Sequence, residues 1–249
     1  MKIPDREDAE FNEVRWWSKW ALLRWHRKGY LLTSESLREP FFNRAGSLCC
    51  EQIGTTASWA ERAFARQGTD ATMLVFDSCA VASEKLLGLG YARVDTMSVL
   101  ISGAPIGAPK LEGWSVEPAT SPRSWTRAYL RAFYGSEDLS PVVAPIVARL
   151  LKSREVALLE CRVKGETAGV LALFRTHGIG GVYCVGTVPE FRRLGVATVL
   201  LAKAKQTVEG EGRRMVLQTL ASEGSMDLYV KRGFKVMYSK HVLERKLKS

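Results

Sequence analysis

The stretch Cys184-Val-Gly-Thr-Val-Pro-Glu-Phe-Arg-Arg-Leu-Gly-Val-Ala-Thr198 carries the most information in this 249-residue chain. It begins inside an apolar strand, Val182 to Val188, which Pro189 closes because proline has no N–H to give a sheet ladder. A short basic loop follows, and small residues then open a helix. Val196, Val199, Leu200, Ala204 and Val208 recur at helical spacing until Gly210 and Gly212 stop it. A helix start exposes unpaired N–H groups and about half a positive charge, so a pyrophosphate can sit against it. Gly195 and Ala197 allow phosphates close to the backbone, and Arg192 and Arg193 add charge beside them. The competing reading is an ordinary strand-loop-helix unit with a glycine for helix packing.

Outward from this stretch, Met215–Leu220 reads as a strand, Ser225 to Lys231 as a helix, and Phe234 to Leu243 as a final strand. Upstream, Val156–Val163 and Ala168–Phe174 read as antiparallel strands around the turn Lys164-Gly165-Glu166. Ser121-Pro122 starts one helix, and a second runs from about Pro141 to Leu151. Strands alternating with helices argue for an α/β or α+β fold. One internal repeat is visible: residues 73–101 match 216–244 at a constant offset, with Gly90 on Gly233, Tyr91 on Phe234 and Leu74 on Leu217. Both copies read strand, helix, Gly-aromatic turn, strand.

Two motifs in this order resemble the GNAT superfamily of N-acetyltransferases. Its acetyl-CoA signature, Q/R-x-x-G-x-G/A after a strand, is matched by Arg192-Arg193-Leu194-Gly195-Val196-Ala197, and a helix carrying L-Y-x-K-x-G-F by Leu228-Tyr229-Val230-Lys231-Arg232-Gly233-Phe234. The resemblance covers about residues 114–246. It implies a mixed, mostly antiparallel sheet flanked by helices, and an N-acetyltransferase that moves an acetyl group from acetyl-CoA directly to a primary amine. The backbone of Arg193 through Thr198 would cradle the CoA pyrophosphate, with the Arg192 and Arg193 side chains near phosphate. Thr187 and Val188 would pair with the pantetheine arm as if it were a strand, and the Val188 N–H would polarise the thioester carbonyl. Such an oxyanion donor is worth about 3 kcal/mol of barrier. Tyr229 would protonate the leaving thiolate, and the plainer alternative for it is an aromatic packed on the sheet.

Some positions depart from the family pattern. Ser222 stands where many members place an asparagine that contacts the CoA arm. The strand Val182 to Thr187 lacks the carboxylate that many use as a base; Glu160, Glu190 and Glu223 are the alternatives, each also readable as a solvated surface charge. Cys184 could accept an acyl group, against the simpler reading of a small buried residue. In the repeat Leu86 takes the place of Tyr229, and nothing before residue 112 matches the signature. Residues 1–112 therefore read as a degenerate, smaller GNAT-like domain and 113–249 as the acetyltransferase domain, joined through the Gly- and Pro-rich segment 102–113. Asn43 reads as a turn or cap residue, with a loop position facing the acceptor cleft as the alternative. Trp16, Trp17, Trp20 and Trp25 read as aromatics packed onto their domain, with Trp17, Trp20, Arg24 and Arg27 on one side of a helix as the alternative membrane or nucleic-acid face.

Composition bounds these readings. With 46% hydrophobic and 25% charged residues the chain is an ordinary globular protein. It has no apolar run long enough to span a bilayer and no apolar leader behind its charged first residues, which reads as a cytoplasmic protein without a membrane partner. Five cysteines without C-x-x-C spacing and three scattered histidines argue against a disulfide framework and against a metal site, and Cys49-Cys50 cannot easily bridge each other. The net charge is +10. Residues 1–112 hold 14 basic and 14 acidic residues, so the whole excess, 22 against 12, lies beyond them. That excess admits two rivals to the enzyme, a non-catalytic CoA-binding regulatory module and a basic nucleic-acid-binding protein; phosphate capture at Arg192-Arg193 favours a CoA ligand over nucleic acid.

Overall fold

Short apolar runs become strands, and glycine- or serine-bounded segments become helices, in the computed structural model, which describes residues 5–108 and 112–246. Pro109–Leu111 of the connecting segment and the first four residues of the charged N-terminus lie outside the described residues. In chain order the first half comprises α1 (Arg6–Trp17), β1 (Leu22–His26), β2 (Gly29–Thr33), β3 (Arg44–Ser47), α2 (Ile53–Gln67), β4 (Ala71–Phe76), α3 (Ala80–Gly88) and β5 (Ala92–Ser102). The second half comprises β6 (Trp114–Pro118), α4 (Pro122–Phe133), α5 (Ser140–Leu150), β7 (Val156–Val163), β8 (Glu166–Thr176), β9 (Ile179–Thr187), α6 (Val196–Gly210), β10 (Arg214–Leu220), α7 (Met226–Lys231) and β11 (Phe234–Arg245). The α/β class expected from the sequence is observed, with a largely antiparallel, open sheet flanked by helices.

The chain divides into two compact units. One holds Met1–Asn12, Ile101–Leu217 and Leu228–Lys235; the other holds Glu13–Leu100, Gln218–Asp227 and Val236–Ser249. The final strand thus belongs with the N-terminal elements.

In the first unit the strand order is β10-β9-β8-β7-β6, antiparallel except for the parallel pair β9–β10. Helices cover both faces, and the glycines report which face is which. A Cβ on Gly169 or Gly180 would meet Val196 and Val208 of α6 at 2.5 and 2.4 Å, whereas one on Gly186 would meet Phe133 of α4 at 2.7 Å. α4 starts where the sequence places it: Ser121 accepts a hydrogen bond from the Arg123 N–H at 3.2 Å, with Pro122 in the first turn. Asn12 ties α1 to the sheet, donating to the Phe174 carbonyl and accepting from the Tyr183 hydroxyl at 2.6 Å.

In the second unit the order runs β1-β2-β3-β4-β11-β5, with β3–β4 parallel and the pairs β1–β2, β2–β3 and β4–β11 antiparallel. β11 pairs with β4 from Lys240↔Phe76 to Arg245↔Ala71. In terms of the repeat, the last strand of the second copy lies beside the first strand of the first copy. Leu86, the counterpart of Tyr229, is packed into the core with Phe64, Met73, Val75 and Leu243. Glu13 is held between Arg44 (2.5 Å) and Lys240 (2.6 Å), all three almost wholly buried. Burial alone would push the Glu13 carboxyl up, but the Lys240 and Arg44 charges outweigh it and hold the group below its usual range.

Two sequence expectations are corrected in this unit. Cys50 is bonded to Cys79, bridging the start of α2 to the start of α3, so one disulfide is present while Cys49 is free. The partners stand 29 residues apart and no C-x-x-C spacing marks them. The aromatic helix ends at Trp17, so Arg24 and Arg27 lie on a strand and a turn and share no helical face with Trp17 and Trp20. Trp16 and Trp20 are buried, 6.0 Å apart between ring centroids, and Trp17 packs on Phe41 and Phe42. Asn43 is buried and organises its own loop, donating to the Leu37 carbonyl at 2.6 Å and accepting from the Ser34 N–H at 2.8 Å. Among the described residues no helix is long and apolar enough to cross a membrane.

Removing one partner of a buried ion pair strands the remaining charge, so Glu13→Gln is expected to cost about 3–5 kcal/mol in urea unfolding at neutral pH. Because the folded pKa is depressed, the stabilisation is complete above the ordinary carboxylate value of 4.5 and is lost as pH falls through the folded value. The gap between wild type and variant should therefore close in acid; a gap that widens there would refute the assignment. Opening the Cys50–Cys79 link, whose partners are 29 residues apart, with Cys79→Ser should lower stability by about 3.5 kcal/mol on chain-entropy grounds. Thermal unfolding of wild type with and without dithiothreitol checks this against the variant, which should not respond to the reductant.

Candidate functional site

β9 is paired on its β8 side along most of its length, but its parallel ladder with β10 runs from Arg214↔Ile179 to Leu217↔Val182 and ends there. From Tyr183 to Thr187 the strand continues with that edge outside the ladder. The cause is local. Between Val170↔Gly186 and Ala172↔Tyr183 the register shifts, so Cys184 and Val185 together oppose Leu171, and Cys184 takes a left-handed φ of 53°. A bulge of this kind bends and twists the strand that carries the extra residue.

Past the bulge, the register fixes where each backbone donor points. The Val188 N–H donates to the Ala168 carbonyl at 2.9 Å, making these two a hydrogen-bonded pair. Hydrogen-bonded and non-bonded pairs alternate along an antiparallel ladder, so the neighbouring pair Gly169↔Thr187 is non-bonded and the Thr187 N–H and C=O point away from β8. The Val188 N–H, expected to polarise a thioester, thus bonds within the ladder, and the N–H directed to the open edge is that of Thr187. The Thr187 carbonyl accepts from Arg192 Nε at 3.4 Å, while another Arg192 nitrogen donates to the Ala132 carbonyl at 3.0 Å. Arg192 thus braces the loop against α4.

The loop turns into α6 through two left-handed residues, Arg193 (φ 64°) and Gly195 (φ 97°), the second being the N-cap. Gly195 suits that conformation because it has no Cβ to clash. The Gly195 carbonyl accepts from the Val199 N–H at 3.1 Å, which closes the first turn. The N–H groups of Val196, Ala197 and Thr198 then lead the helix without intrahelical acceptors. Arg192, Arg193 and Leu194 are exposed, whereas Val196 and Thr198 are buried. The close seat of this helix depends on Gly169, for which the sequence assigned no chemical role.

Tyr229, in the same unit, is 7% exposed and packs edge-on against Phe234, 5.8 Å between centroids. Arg232 links its segment to the first turn of α6 by donating to the Thr198 hydroxyl at 3.1 Å. No motif weight was given to Arg232 in the sequence, although it lies inside the Leu228–Phe234 signature. Ser222 belongs to the other unit. There its hydroxyl donates to Asp95 at 2.5 Å, and its N–H to the same carboxylate at 3.4 Å. Slight burial raises the Asp95 pKa, but hydrogen bonds from Ser222, Thr96 and Ala221 outweigh this and hold it below the usual range.

The candidate carboxylates also receive places. Glu160 is not a solvated charge: at 1% exposure it accepts from the Ser124 hydroxyl at 2.5 Å, Arg162 at 2.7 Å and the Thr167 hydroxyl at 3.5 Å. Glu190 pairs with Arg131, and Glu223 accepts from the Thr219 hydroxyl and the Leu220 N–H, organising its own turn. Burial pushes the Cys184 thiol well up, away from the thiolate that acyl capture needs. A cavity of about 560 Å³ lies between α4 and the ends of β8 and β9, lined by Ser124, Arg127 and Arg131 on one side and by Thr167, Val188 and Phe191 on the other.

Comparison with known proteins agrees with this geometry. Residues 117–234 match the Acetyltransferase (GNAT) family. A GCN5-related N-acetyltransferase from Kribbella flavida superposes with a TM-score of 0.69 at 15% identity, covering 96% of each chain. One from Sphaerobacter thermophilus gives 0.68 at 17% identity over 88% of this chain and 76% of its own. A conserved protein of unknown function from Staphylococcus epidermidis gives 0.67 at 12% identity over 92% of this chain and 94% of its own. No curated protein matches the sequence significantly. The signature loop and the strand that leaves its ladder both fall within residues 117–234, the segment that matches the Acetyltransferase (GNAT) family, and the neighbouring structures share the fold.

Proposed function

We propose that the protein is an N-acetyltransferase that carries the acetyl group of acetyl-CoA directly to a primary amine. The observation that carries this reading is the open edge of β9 leading into the Gly195-capped start of α6. A pantetheine arm is an extended chain with amide groups, and it fits a strand edge that has lost its neighbour. The pyrophosphate then falls against the N–H groups of Gly195 through Thr198, where the helix dipole favours negative charge. Arg193 and Leu194 flank it from the exposed loop, and Arg192 holds the loop in shape.

In the proposed step the neutral amine attacks the thioester carbon. Negative charge develops on the carbonyl oxygen, which the Thr187 N–H is directed to meet. The bond from the Val188 N–H to the Ala168 carbonyl supports Thr187 as the donor in place of Val188. Collapse of the intermediate expels the CoA thiolate, Tyr229 supplies its proton, and the proton that the attacking nitrogen loses returns to Tyr229 through solvent, so the tyrosine ends as it began. A free thiol has a pKa near 8.5, so the proton helps without being indispensable. Thr187 lies outside the ladder hydrogen bonds, so its N–H can be aimed at the oxyanion without reorganisation, which is what makes such a donor effective.

Acetyl-CoA at 100 times its Kd should stabilise the protein by about 2.7 kcal/mol, read as a rise in the thermal midpoint. Tyr229→Phe should keep that rise while thiol release at saturating acetyl-CoA falls about 10²-fold. A wild-type midpoint that ignores millimolar acetyl-CoA would remove the CoA reading altogether. Full turnover in Tyr229→Phe would remove the acid from Tyr229 and leave the rest standing.

A further inference from the structure

The cavity beside α4 has a chemistry that the acetyl-transfer reading does not use. Arg123, Arg127 and Arg131 all line it, each four residues after the last and so on one side of the helix. Arg127 is paired with Glu137 in an exposed contact and Arg131 with Glu190. Arg123 is exposed and has no carboxylate partner among the described residues. Ser124, on the same helix, donates its proton to the buried Glu160 at 2.5 Å, and opposite stand the Thr167 hydroxyl, 3.5 Å from that carboxylate, and the exposed Glu166. A hydroxyl whose proton is held in this way offers lone pairs to the cavity and therefore accepts N–H or O–H groups from a ligand.

The face of the sheet decides what this cavity can hold. Gly186 faces α4, and by strand alternation Val188 does too, in keeping with its place in the lining. Glu160 pairs with Val170, which pairs with Gly186, so the carboxylate lies on the α4 face as well. A bulge at Cys161/Arg162 brings Thr167 to the same side. The start of α6 sits on the other face, against Gly169. A pyrophosphate at the α6 start and a ligand in the cavity would therefore approach β9 from opposite faces.

We infer that this cavity is the acceptor site and that it takes a primary amine carrying a carboxylate or phosphate group. Arg123 meets the anion, Arg127 and Arg131 can turn from their exposed partners to share it, and Ser124 and Thr167 accept from the polar donors of the acceptor. A guanidinium suits both anions because its fork of N–H groups matches their paired oxygens. At about 560 Å³ the cavity has the volume of a small-molecule site. The inference rests on the proposed acetyl transfer and adds to it the class of acceptor.

The test is thiol release from acetyl-CoA with matched amines: β-alanine against β-alaninamide, and O-phosphoethanolamine against ethanolamine. Wild type should favour the anionic member of at least one pair by tenfold or more in kcat/KM, and the pair affected tells carboxylate from phosphate. Arg123→Glu should abolish that preference by raising KM for the anionic amine, while the midpoint rise caused by acetyl-CoA persists. Equal turnover within both pairs, a preference for the neutral members, or no release with any of the four overturns the anionic acceptor. Loss of the acetyl-CoA midpoint rise in Arg123→Glu would instead assign the cavity to the phosphates of CoA and also overturn it. A wild-type protein that does not respond to acetyl-CoA fails one step earlier, at the acetyl-transfer reading itself.

Discussion

The geometry of the site depends on one extra residue in β9. Cys184 and Val185 together oppose Leu171, and the strand leaves its parallel ladder with β10 in the same turn of chain. A strand so placed has one edge satisfied by β8 and the other open, and an open edge normally calls for another strand or for water. Here Pro189 closes the strand, Arg192 bonds back to the Thr187 carbonyl, and Gly195 starts α6 within a few residues. The bulge also sets the direction of every later donor. A ladder shifted by one residue would point the Val188 N–H outward and bury that of Thr187.

Close packing keeps this arrangement in place. Gly169 lets the first turn of α6 approach the sheet; a Cβ there would stand 2.7 Å from the Gly186 carbonyl as well as meeting Val196. Neither can yield cheaply, because one is backbone and the other lies at the start of the helix. Arg232 adds a polar tie from the Tyr229 segment to Thr198. In the other unit the corresponding positions serve stability instead. Leu86 replaces the tyrosine with a core side chain, and Cys50 is bonded to Cys79. Glu13, Arg44 and Lys240 then fix α1, β3 and β11 to one another.

Much of this was legible in the sequence because it is local. The signature from Arg192 to Ala197 specifies a tight turn and a helix start within six residues, and Pro189 and Gly195 bound it. The α4 cap at Ser121 and the hairpin around Gly165 are equally local. What the sequence concealed depends on register or on pairing across distance. The choice between Val188 and Thr187 turns on a bulge that no residue type announces. Glu160 reads as a surface charge until β7 and α4 come together and give it Ser124, Arg162 and Thr167. Cys50 and Cys79 carry no spacing signal, and the pairing of β11 with β4 joins the two ends of the repeat.

The two faces of β9 also bear on how the proposed transfer would be organised. A thioester laid along the open edge can be reached by an acceptor from the α4 side while its pyrophosphate rests at the α6 side, so neither substrate need leave before the other arrives. That arrangement would suit direct attack, and the Cys184 thiol, pushed up by burial, is a poor candidate for an acyl carrier. The excess of basic residues beyond residue 112 then divides by position and not by count. Arg192 and Arg193 belong to the loop before α6, Arg123, Arg127 and Arg131 to the cavity beside α4, and Arg162 to the buried carboxylate between them.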